Sequence, residues 1–132
     1  MLNPFPIQFL SLFAYFILRI FIGITFLILG VRHWKQRESL YPALILPIFP
    51  FGKISVTILI ITELVIGTLF VLGLYTQIAA LITILMSIKM IILRKRFSHP
   101  ALPSRLVYLL FLGIGCSLFI TGAGVLAFDL PI

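Results

Sequence analysis

The sequence predicts an all-α membrane protein, a bundle of four transmembrane helices with both termini on the non-cytoplasmic side. Three observations carry this expectation. Of 132 residues, 62% are hydrophobic and 10% charged, and the mean hydropathy is +1.29. A soluble domain of this size has too little interior to hide so much apolar side chain. The apolar residues gather in four runs close to the roughly 20 residues that a spanning helix needs. Apart from Arg19 and Lys89, the ten lysines and arginines fall in two clusters between those runs. One domain over residues 1–132 is the natural count. The net charge of +7 therefore points to membrane topology and not to nucleic acid, because no basic face interleaves with polar surface.

The first span is expected over residues 10–31. It lacks a basic leader and a small-residue cleavage site, so it reads as a retained helix and not as a signal peptide. The second is expected over 54–74. The third, over 75–93, follows after a turn so tight (Gly73-Leu74-Tyr75-Thr76-Gln77) that the two helices must be antiparallel neighbours. The fourth covers 106–123 and fades at Gly122-Ala123-Gly124. Residues 40–51 are apolar but too short to span, and Pro42, Pro47 and Pro50 break any helix there. This segment reads as an interfacial or partly re-entrant loop, with Trp34, Tyr41, Phe49 and Phe51 near the headgroups. Arg32, Lys35, Arg37 and Lys53 precede the second span, and Arg94, Lys95, Arg96 and Arg105 precede the fourth. Positive charge marks the cytoplasmic side, which with an even number of spans puts both basic loops in the cytoplasm and both termini outside; the inner (plasma) membrane is the expected location.

Two opposite charges lie inside spans: Arg19 in the first and Glu63 in the second. Each alone costs roughly 2.5–3.5 kcal/mol in lipid. At 1.5 Å per residue they lie roughly 13 and 16 Å below the outer ends of their spans, so an ion pair between neighbouring helices is expected. Gly23 and Gly30 follow Arg19, and Gly67 follows Glu63, at spacings that share a helix face, and such glycines let backbones approach in lipid. The pair reads structurally as a register-setting bridge. It reads functionally as a site for an anionic or quinone-like ligand or a proton. Lys89 sits near a span end and can snorkel.

Other chemistry-bearing residues read blandly. Cys116 is a small core residue, since it has no partner cysteine and no metal-ligand spacing. His33 and His99 lie in basic loops and suit headgroup contact. Thr83 and Ser87 suit bonds to backbone carbonyls or across helices. Met86 and Met90 suit packing. Asp129 suits a pin for the tail. No catalytic residue and no metal site is expected.

The run from Leu18-Arg19 through Gly23 and Phe26 to Gly30 resembles the first helix of the DoxX family. Thr62-Glu63-Leu64-Val65-Ile66-Gly67, with Leu72-Gly73-Leu74 and the 76–80 hairpin, is similar to that family's second helix and turn. Thr121-Gly122-Ala123-Gly124 and Asp129 resemble its closing motif. The chain departs from the pattern at His33, where the family often has lysine, and at Val125 and Ala127, where it usually has arginine and serine. The resemblance implies a four-helix membrane protein whose relatives include subunits and scaffolds of redox complexes. Quinone is then the implied ligand, and a soluble or membrane oxidoreductase is the implied partner, beside the lipid bilayer itself. The expected role is a non-catalytic subunit of such a complex. The alternatives are a small homo-oligomeric transporter or permeation subunit using Glu63, and a purely structural or assembly factor.

Overall fold

The computed structural model describes residues 8–42, 52–97 and 99–122. These form five helices: α1 (Gln8–Lys35), α2 (Arg37–Leu40), α3 (Gly52–Leu72), α4 (Thr76–Leu93) and α5 (Arg105–Thr121). No strand occurs among the described residues. Helices α1, α3 and α4 are long and apolar enough to cross a membrane, while α5 is apolar but shorter, at 17 residues. The greater part of the loop expected over 40–51, together with Gly124 and Asp129, lies outside the described residues.

Helix α1 continues past the expected end at 31 because nothing interrupts it. Arg32, His33 and Lys35 occupy its last turn, where cations favour the carbonyl end of the helix. Helix α3 stops at Leu72 in the expected tight turn. The Gly73 amide donates to the Phe70 carbonyl at 3.3 Å and the Leu74 amide to Leu69 at 3.0 Å. Gly73 adopts a φ of 69°, so the pair of bonds is a Schellman cap on a residue without a Cβ.

The helices pack in two antiparallel pairs, α1 on α3 and α4 on α5, joined through α3–α4 and α1–α5 contacts. In the first pair Gly23 meets Gly67 and Val71, Gly67 meets Leu27, and Gly30 meets Leu64. Small residues are needed there because lipid supplies no hydrophobic drive between helices and attraction depends on close backbone approach. The contacts also stagger the pair. Gly23 lies level with the last turn of α3, so the first half of α1 runs beyond it. In the second pair the Gln77 amide nitrogen donates to the Phe119 carbonyl at 3.4 Å, and Gly115 packs on Ala80, Thr83 and Ile84.

Burial is inverted relative to a soluble bundle. Phe21, Ile28, Ile92, Leu106 and Ile120 are 62–81% exposed, whereas Arg19, His33, Glu63, Thr76, Thr83 and Ser87 are buried. The outward surface therefore suits acyl chains. Met86 and Met90 pack in the core as expected, and Lys89 is exposed. Cys116, expected in the core, is exposed. It follows Gly115, whose face is the one turned to α4, and the step of one residue turns the thiol outward.

A Cβ at Gly67 would lie 2.9 Å from both the Gly23 carbonyl oxygen and the Leu27 nitrogen, whereas one at Gly113 meets nothing within 4 Å. Gly67→Ala is therefore expected to destabilise the protein by about 1–3 kcal/mol. Gly113→Ala is expected to leave it unchanged or slightly more stable. Thermal unfolding of both variants in one detergent checks the contrast.

Candidate functional site

The glycine register determines what Glu63 can reach. Gly30 rests on Leu64, and His33 follows three residues later on the same face of α1. His33 Nδ1 lies 2.6 Å from Glu63 Oε2, and both side chains are fully buried. Glu63 thus takes its partner from the last turn of α1. The expected contact with Arg19 is not the one it makes. Arg19 lies one turn before Gly23, level with the α3–α4 turn and roughly 16 Å along α1 from Gly30. The flush helix ends assumed in the depth argument do not hold, because α1 is staggered on α3. Arg19 is itself fully buried, with its guanidinium 5.3 Å from the centre of the Phe16 ring. His33, expected among lipid headgroups, is instead an interior residue.

The other side of His33 is closed by the connection between α4 and α5. Arg94, just past α4, directs its guanidinium inward along this connection. Its Nε donates to the Pro103 carbonyl at 3.0 Å, and its terminal nitrogens donate to the carbonyls of Phe97, His99 and Leu102. The Ala101 amide donates to His99 Nδ1 at 3.0 Å, so His99 also serves the fold of this segment. With Phe97, Ala101 and Leu102 buried, the segment presents the Ala101 carbonyl to His33 Nε2 at 3.2 Å.

These partners constrain the protons. A carbonyl can only accept, so Nε2 carries a hydrogen and donates it to Ala101. The short Nδ1–Oε2 contact then holds one further proton, on the imidazole or on the carboxyl. In either state the pair has no net charge, which suits a buried position.

Tyr108 of α5 completes the surroundings. Its ring is buried, edge-on to Phe111 at 6.0 Å, and Phe111 packs on Phe26 of α1 at 4.8 Å. Neither the Tyr108 hydroxyl, Glu63 Oε1 nor Ser87 Oγ makes a hydrogen bond among the described residues. Thr83 donates to the Ala79 carbonyl at 2.8 Å, the backbone bond expected for it. No group of three His, Cys, Asp or Glu residues that could hold a metal occurs among the described residues.

Of the residues singled out from sequence, Gly23, Gly30 and Gly67 line the α1–α3 contact beside the pair. Gly73 and Gly122 stand at helix ends with positive φ. Arg94 and Tyr108 were not anticipated. His33 could have been found from one signal, its place on the glycine face of α1.

His33→Ala and Glu63→Ala are each expected to destabilise the protein by roughly 3–5 kcal/mol, since each leaves a buried polar group uncompensated. The double variant should lose less than the sum of the two, by about 1–3 kcal/mol. A thermodynamic cycle built on these three variants checks the coupling; simple additivity would refute direct pairing.

Compared with known proteins, the chain matches the family model described as DoxX over residues 14–96. That segment contains most of α1, all of α2, α3 and α4, and both members of the His33–Glu63 pair. No curated protein and no solved structure matches the chain. The match covers more than half of the sequence, takes in the staggered glycine contact and the buried pair it creates, and establishes that the protein belongs to the DoxX family.

Proposed function

We propose that the protein is a four-helix subunit or scaffold of a quinone-linked redox complex in the inner (plasma) membrane. In this reading α5 is the fourth crossing, both termini face away from the cytoplasm, and the basic end meets a soluble oxidoreductase. One observation carries it: His33 and the part-buried Arg94 are spent on holding helices and a connection together. His33 uses both ring nitrogens within the chain, and Arg94 uses its guanidinium on four carbonyls. Such internal cross-links favour a rigid supporting block. The surroundings of the pair do not fit a quinone ring, because His33, Glu63 and Tyr108 are fully enclosed and His33 has no nitrogen to offer. The quinone therefore belongs to the partner in this reading.

A second reading has a specific observation in its favour. Glu63 Oε1 and the Tyr108 hydroxyl are buried without a hydrogen bond among the described residues, as a proton or solute site in a small oligomeric permeation subunit would require.

Gentle detergent extraction followed by identification of co-purifying proteins separates the two. The scaffold reading expects an oxidoreductase at fixed stoichiometry and quinone-dependent electron transfer in the isolated complex. A homogeneous preparation with neither would sink it. Proteoliposome flux that disappears in Glu63→Gln, with thermal stability retained, would establish the permeation reading instead.

A further inference from the structure

On the face of α1 opposite the buried pair lies a groove of about 470 Å³, lined by Leu27, Ile28, Val31, Arg32, Lys35 and Gln36. Ile28, Val31, Arg32 and Lys35 recur at spacings of three and four, so they share one helix face. The groove is divided along its length. Its upper wall is apolar, with Ile28 62% and Val31 48% exposed. Its lower end carries two exposed cations and an amide. Among the described residues that line it there is no carboxylate, so Arg32 and Lys35 set the sign of the charge at that end. Next to the cations, Trp34 is 52% exposed and holds the Arg37 guanidinium 4.8 Å from its ring centre. An outward tryptophan with a basic neighbour marks the level at which a helix leaves the acyl region for the headgroups.

We propose that this groove seats one anionic phospholipid. Arg32 and Lys35 hold the phosphate, Gln36 serves the polar linker, and an acyl chain lies along Leu27, Ile28 and Val31. The volume falls in the range of small-molecule sites, and the order of surfaces, apolar above and cationic below, is that of a lipid. A zwitterionic headgroup brings its own cation toward Arg32 and Lys35, whereas an anionic one does not. The site discriminates by charge, and free phosphate forgoes the apolar contact that an acyl chain makes with Ile28 and Val31. It is independent of the His33–Glu63 pair, which faces the opposite side of α1.

Native mass spectrometry of the full chain in mild detergent tests this, with phosphatidylglycerol and phosphatidylcholine of identical chains offered together. Each cation near a headgroup contributes about fivefold, so a preference for phosphatidylglycerol of about 30-fold is expected. Arg32→Gln with Lys35→Gln should abolish the preference. Lys95→Gln with Arg96→Gln, an equal charge loss at exposed positions outside the groove, should retain it. Ile28→Trp, which fills the groove and spares both cations, should lower retention of both lipids, and inorganic phosphate should not bind. No preference in the parent protein, equal loss in both double variants, undiminished retention in Ile28→Trp, or phosphate binding at comparable affinity would each overturn the assignment.

Discussion

The contact between His33 and Glu63 is the constraint on which the arrangement of the helices depends. It joins the last turn of α1, the middle of α3 and, through the Ala101 carbonyl, the connection between α4 and α5. Hydrocarbon tolerates such groups only when charge and hydrogen bonding are met internally. A carbonyl at Nε2 and a carboxyl at Nδ1 achieve this with one shared proton and no net charge. The two antiparallel pairs are thereby tied to each other by polar contacts at one end.

Packing elsewhere follows from the same solvent. Lipid offers helices no reason to associate through apolar surface alone, so backbone proximity and internal polar bonds provide the specificity. Gly23 and Gly67 supply the proximity between α1 and α3. The Phe26–Phe111–Tyr108 column supplies a contact from α1 to α5 across the interior. Arg94 plays a further part: by folding the carbonyls of its own connection around its guanidinium, it positions the one carbonyl that His33 needs.

Much of this was legible in the residues, and what was not has a physical cause. Hydropathy and the basic clusters located the apolar helices to within a few residues, and the Gly73 turn was plain from its shortness. That Gly23 and Gly30 share one helix face was legible from their spacing. The partner of Glu63 was not, because equal depth was measured from helix ends, and helix ends carry no information about stagger. Contacts between small residues do carry it: aligning Gly23 with Gly67 slides Arg19 past Glu63 and brings His33 opposite. His33 was assigned to the headgroups by its basic neighbours in sequence, although its helical phase matched the glycines. The roles of Arg94 and Tyr108 depend on how an eleven-residue connection folds back on the bundle, and no local pattern encodes that. The exposure of Cys116 was not legible, because an apolar stretch in a membrane protein has no preferred inner side by composition alone.

The pairing of α1 with α3, the next long helix in the chain, and with the later α4–α5 connection has a consequence for biogenesis. When α1 leaves the ribosome, the surface that will receive it has not yet been made. Roughly thirty more residues must be synthesised before Glu63 exists, and the Ala101 carbonyl arrives later still. Until then the nascent helix carries an imidazole and small-residue notches with nothing to fill them. The surroundings of His33 are therefore complete only once the connection between α4 and α5 has been made.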